Sequence, residues 1–135
     1  MPTIFQKLNL KDQKEIVVLD PPDAFEPELE ALRGVHVVRR LGDVKNVAFA
    51  LAFVTRRDAL QRLSTALAAK AAGDALLWFA YPKGTSKKYA CDFNRDDGWD
   101  ALRESGFDSV RQIAIDEDWS ALRFRRTEFI KWPRQ

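Results

Sequence analysis

The sequence predicts an α/β fold built on a mostly parallel sheet, and three observations carry that expectation. Short apolar, β-branched runs alternate with segments whose apolar residues recur every three or four positions. Two of the runs, Val47-Ala48-Phe49-Ala50-Leu51-Ala52-Phe53-Val54 and Ala75 to Tyr81, are apolar throughout, as strands covered on both faces must be. The last two runs, Val110 to Ile115 and Ala121 to Arg126, are joined by a connection too short for a crossover, so the final strand must run antiparallel to its predecessor.

Ile16-Val17-Val18-Leu19 reads as the first strand, stopped by Asp20-Pro21-Pro22-Asp23, where two prolines fix φ and withhold amide donors. Pro27 suits the first turn of a helix carrying Leu29 and Leu32, with Gly34 as its C′ residue. Val35-His36-Val37-Val38-Arg39 reads as the second strand, and the apolar run 47–54 as the third. Thr55 and Asp58 have capping-box spacing, with Asp in place of Glu. The helix they open carries Leu60, Leu63, Leu67 and Ala71 on one face and closes at Gly73. Ala75 to Tyr81 is the fourth strand. Asn94 is read as the cap of a shorter helix with Trp99 and Leu102, ended by Gly106. Right-handed crossovers then put helices on both faces of the sheet. The fold class is a three-layer Rossmann-like sandwich, a mostly parallel six-stranded sheet with the last strand antiparallel, in a single domain over 1–135.

Composition excludes several classes. At 135 residues, 46% apolar and 31% charged, the chain can bury its own core without staples. No apolar run approaches the roughly 20 residues needed to cross a bilayer, so no membrane partner is expected. Met1-Pro2-Thr3-Ile4-Phe5-Gln6-Lys7 lacks the design of a signal peptide. The single cysteine, Cys91, rules out an internal disulfide and any multi-cysteine metal site, and a cytoplasmic location is expected. Twenty-two basic against twenty acidic side chains leave a net charge of +2, with the basic pairs scattered. Arg125-Arg126, Lys131 and Arg134, interleaved with Phe129 and Trp132, form a weak phosphate-contacting tract, and a nucleic-acid partner is not expected.

Two strand ends carry the chemistry. Leu77-Trp78-Phe79-Ala80-Tyr81 breaks into Pro82-Lys83-Gly84-Thr85-Ser86, and Ile113-Ala114-Ile115 breaks into Asp116-Glu117-Asp118 before Trp119-Ser120-Ala121-Leu122-Arg123-Phe124. The arrangement resembles a reduced class I methyltransferase fold, whose sheet also ends in a reversed strand inserted beside the penultimate parallel one. More closely, the whole chain resembles a domain-of-unknown-function family of small bacterial proteins. The matches are Lys7 to Leu10, the Tyr-Pro-Lys-x-x-Ser turn at Tyr81 to Ser86, Asp92 with Asn94-Arg95, and the block from Val110 to Phe124, in which Ile113 replaces a valine. This resemblance implies the fold and a set of shared residues; it implies no activity.

Against the methyltransferase resemblance stand the glycines. Gly34, Gly42, Gly73, Gly84, Gly98 and Gly106 form no G-x-G pair, and Asp20-Pro21-Pro22-Asp23 occupies the turn where a dinucleotide or S-adenosylmethionine site needs small residues. Arg39-Arg40 stand where a carboxylate would hold the ribose. No cofactor is therefore expected.

The candidate ligand-binding residues are Lys83, Ser86, Asp92, Asp116, Trp119, Ser120 and Arg123, with no catalytic and no metal-binding set. Lys83 and the hydroxyls of its turn suit an anion, although the spacing is not that of a P-loop. Asp116 and its acidic neighbours suit acid–base work or a cation's oxygen ligands, but no histidine accompanies them. Trp119 suits a pocket wall or the core. Arg123, in a strand flanked on both sides, calls for a carboxylate, Asp92 or Asp116, or for a ligand anion. Cys91 and His36 are read as a small semi-buried side chain and a strand residue.

Ligands of open α/β sheets sit beyond the carboxyl ends of the strands. Three readings remain open there. The preferred one is a non-enzymatic module for a small anionic ligand or a protein partner. The second is a diverged transferase-like enzyme using Lys83, Ser86, Asp116 and Ser120 without the usual cofactor loop. The third is a weak nucleic-acid binder working through the basic C-terminus.

Overall fold

The computed structural model describes residues 3–94 and 97–130. Its strands are β1 (Glu15–Leu19), β2 (His36–Val38), β3 (Val47–Phe53), β4 (Ala71–Pro82), β5 (Phe107–Ala114) and β6 (Trp119–Arg126). Its α-helices are α1 (Ile4–Lys7), α2 (Glu26–Glu30), α3 (Arg57–Lys70) and α4 (Asp100–Glu104).

The strands form a six-stranded sheet in the order β2-β1-β3-β4-β6-β5. β1 runs parallel to β2 and β3, β3 runs parallel to β4, and β6 is antiparallel to both β4 and β5. The last strand therefore reverses between two neighbours of like direction, as its short connection requires. A right-twisted parallel sheet with crossovers must cover both faces, and the core divides accordingly. One layer joins Leu60, Leu63 and Leu67 of α3 and Leu102 of α4 to Val17, Ala50, Ala52, Leu77 and Phe79. The other joins Phe5 of α1 and Leu29 of α2 to Ile16, Val18, Leu51, Trp78 and Ala80. The period-2 alternation of each strand feeds both layers, so the two all-apolar runs become β3 and the body of β4.

Local details differ from the sequence reading. Thr55 and Asp58 form no capping box; α3 has Arg56 at its N-cap without a side-chain bond, and the Arg57 amide donates to Asp92 Oδ1 instead. A carboxylate brought from 35 residues away thus supplies the acceptor that α3 lacks locally. Asn94 does not cap α4. Trp99 holds the N-cap position, and its indole Nε1 donates to the Asn94 carbonyl at 2.9 Å. α3 ends at Lys70 and passes directly into β4, where Gly73 (φ 55°) lies within an irregular stretch of strand. The helix α1 has no counterpart in the sequence reading. It is opened by a Thr3–Gln6 capping box and pinned by the Trp78 indole, which donates to the Leu8 carbonyl at 2.9 Å. No described helix is long and apolar enough to cross a membrane. Arg95, Lys131, Trp132 and Arg134 lie outside the described residues, and with them most of the basic C-terminal tract.

Candidate functional site

The carboxyl ends of β1, β3 and β4 share one edge of the sheet, and the reversed β6 begins there, with Pro82 in register with Trp119. The turn leaving β4 is docked onto the turn entering β6. The Lys83 amide donates to the Asp118 carbonyl at 2.8 Å, and the Ser86 hydroxyl donates to Asp118 Oδ1 at 2.9 Å. Ser86 Oγ also accepts from the amides of Lys88 and Tyr89, at 3.3 and 3.2 Å. One hydroxyl has one donor and two acceptor sites, so Ser86 is saturated; it shapes the turn and is not a free nucleophile.

Beneath that turn opens a cleft of about 690 Å³, a volume typical of small-molecule sites. It is lined by Tyr81, Ser120 and Gln112, whose Nε2 donates to the Tyr81 hydroxyl at 2.9 Å. Lys83, Ser86, Phe93 and Asn94 line it as well. Lys83 is half-buried and has no carboxylate partner among the described residues. Cys91 also lines the cleft. Burial pushes its thiol above the ordinary value, outweighing a backbone hydrogen bond from Phe93, and Asp92 adds in the same direction as burial. At neutral pH it is a neutral thiol, not an activated nucleophile.

The structure brings three of the seven sequence candidates, Lys83, Ser86 and Ser120, to this cleft. The other four lie elsewhere. Asp92 is exposed and caps α3. Asp116 Oδ1 accepts from the amides of Asp118 and Trp119, at 2.8 and 2.9 Å, and so holds the tight turn. Trp119 is buried between Phe53 and Tyr89, with ring centroids at 5.1 and 4.9 Å, in the opposite core layer. Arg123 pairs with neither Asp92 nor Asp116. Both carboxylates serve backbone amides near the carboxyl edge, whereas Arg123 lies deeper in the sheet, opposite Trp78, and the expected buried pair is absent. Tyr81, Gln112 and Asn94 line the cleft but are not among the seven candidates. Tyr81 ends an apolar run that reads wholly as core, and only the β5–β6 register aims Gln112 at it.

The sheet's switch point, where strand order reverses between β1 and β3, is where this architecture places a nucleotide-bearing cofactor. Asp20 adopts a left-handed conformation there, with φ 54°, so the tight turn survives with a side chain where glycine is the usual residue. Pro21 and Pro22 follow, and Phe25 is buried against Phe53 at 5.0 Å. Arg39, just beyond β2, forks onto Glu26 of α2, with Nη1 and Nη2 each 2.8 Å from a carboxylate oxygen. The Arg39 hydrogen bond holds the Glu26 carboxyl below its ordinary range against a small opposing effect of burial. Both oxygens are thereby engaged, and no carboxylate closes β2 to take a ribose. These residues do not fit S-adenosylmethionine in its usual mode.

No family model matches the chain, and no curated protein matches it in sequence. Solved structures match it in fold. A SAM-dependent methyltransferase from Aquifex aeolicus superposes with a TM-score of 0.56 at 12% identity, covering 92% of this chain and 88% of that one. Magnesium protoporphyrin IX methyltransferase from Synechocystis PCC 6803 gives 0.58 at 11% identity, over 92% and 78%. A ribosomal-protein methylase from Lactobacillus delbrueckii subsp. bulgaricus gives 0.57 at 13%, over 90% and 76%. The chain thus has the α/β architecture of Rossmann-like methyltransferases. That finding corrects the preference for a non-enzymatic binding module. Its structural neighbours are enzymes of methyl transfer, and the diverged transferase reading fits them better.

Proposed function

We propose that the chain is a diverged transferase-like enzyme of methyltransferase architecture, working at the carboxyl end of β4 without the usual cofactor loop. The observation that carries this reading is the cleft, where Lys83, Ser120 and the Tyr81–Gln112 pair surround a space sized for a small molecule. Lys83 supplies the charge that holds an acidic group of the ligand, Tyr81 and Gln112 orient it, and the Ser86–Asp118 bond keeps the turn that carries Lys83 in place. The small-ligand partner is accordingly anionic. A cytoplasmic setting, and kinship with the small bacterial proteins that share the Tyr81–Ser86 and Val110–Phe124 blocks, rest on the sequence features above.

The test is a calorimetric panel of activated group donors, S-adenosylmethionine among them, on the full chain. A donor should bind, and Lys83→Met and Ser120→Ala should each weaken it at least about tenfold while leaving the urea midpoint unchanged, a loss of about 1.4 kcal/mol in binding. Binding indifferent to both substitutions, or no binding across the panel, overturns the proposal.

A further inference from the structure

On the other face of the sheet, two arginines stand side by side, with no carboxylate between them among the described residues. Arg123 of β6 is in register with Arg111 of β5, so both side chains leave the same face of adjacent strands. A bulge creates this pairing. Ser109 faces Phe124, and an unbroken register would set Val110 against Arg123; the shift between Ser109 and Arg111 expels Val110 and brings Arg111 there instead.

Like charges placed directly opposite one another repel. Asp74, the carboxylate whose charge acts on Arg123, is engaged by Arg125, whose Nε and Nη2 lie 2.8 and 2.6 Å from its oxygens. Among the described residues neither Arg111 nor Arg123 has an ion pair. The Nε of Arg123 is shielded from solvent and has no hydrogen-bond partner among the described residues. Burial is the chief influence lowering this guanidinium's pKa, Arg125 and Arg111 act in the same direction, and Asp74 opposes them. Arginine keeps its proton in proteins, so the charge remains and lacks a counterion.

We propose that Arg111 and Arg123 form a binding site for the phosphate group of a small phosphate monoester, distinct from the cleft on the opposite face. Two guanidinium forks match the charge and the tetrahedral oxygens of a phosphate dianion, and drawing Arg123 outward would give Nε the acceptor that the protein does not provide. Arg111 is exposed, which leaves the site open from the sheet edge.

The experiment is thermal unfolding of the full chain in inorganic phosphate, and in phenyl phosphate, against chloride at matched ionic strength. At about 20 mM, either phosphate should raise the midpoint by roughly 3–5 °C over chloride. Arg111→Gln and Arg123→Met should each abolish that rise, while Arg62→Gln, on an exposed position of α3, should keep it. If Arg123→Met does not fold, Arg111→Gln decides alone. An equal rise in chloride, or an undiminished one in Arg111→Gln, overturns the site. A single-stranded oligonucleotide that binds more tightly than phosphate through Arg111, with a steep salt dependence, overturns the monoester in favour of a polynucleotide backbone.

Discussion

Arg39 and Glu26 are joined by a bidentate bond, 2.8 Å on each side, that ties the end of β2 to the helix following β1. Arg39 stands where a carboxylate would hold a ribose, and it and Glu26 satisfy each other. S-adenosylmethionine is therefore expected to show no one-site micromolar binding in titration calorimetry. Arg39→Ala should not restore it, because Pro21, Pro22 and the buried Phe25 remain. Micromolar binding, or a crystal structure with the cofactor over Asp20, would contradict this.

Ser86 and Asp118 clamp two turns that are 32 residues apart in sequence. A hydroxyl bonded to a charged acceptor contributes about 1.5–3 kcal/mol, and partial exposure of this pair puts the expected loss from Ser86→Ala near the lower figure. Adding Asp118→Ala should cost less than the sum of the two single losses, since the partners share one bond. Strict additivity in urea melts would show that the clamp carries no energy.

Asp74 gives a pH signature. Its carboxyl is held below the ordinary range chiefly by the Arg125 hydrogen bond, burial opposing and the charges of Arg125 and Arg123 assisting. A folded pKa below the unfolded one means that the contribution is fully present above the unfolded value and is lost as pH falls through the folded value. The stability gap between wild type and Asp74→Asn should therefore be constant from about pH 5 to 8 and shrink below about pH 4. A gap that widens on acidification would reverse the assignment.

Gly98 has φ 101°, and a β-carbon there would lie 3.2 Å from the Cβ of Phe93, an atom next to the backbone that cannot swing aside. Gly98→Ala should cost more than about 1 kcal/mol and disturb the aromatic cluster of Phe93 and Trp99, whose rings meet edge to face at 5.6 Å. Trp99 fluorescence and the urea midpoint should shift together. An unchanged midpoint would show that the loop gives way freely.

Much of the scaffold was legible because it is local and periodic. The uninterrupted apolar runs of β3 and β4 can only be strands buried on two faces, and the brief connection before Trp119 permits only reversal. Helix ends were read less well. Thr55 and Asp58 had the right spacing, but the acceptor at the start of α3 is Asp92, which no local rule connects to it. α1 escaped notice because four residues are too short for a periodic signal.

The sequence by itself determined the architecture, the lack of glycines after β1, and the position of Lys83 and Ser86 at the end of a buried strand. These follow from side-chain period, proline and glycine chemistry and connection length, all properties of neighbouring residues. Only the tertiary structure decided which of the seven candidates meet in the cleft, that Arg39 is spent on Glu26, and that Arg123 faces Arg111 and no carboxylate. Those outcomes depend on strand register. A one-residue slip moves a side chain to the other face of a sheet, and the bulge at Val110 is such a slip, invisible in the order of the letters.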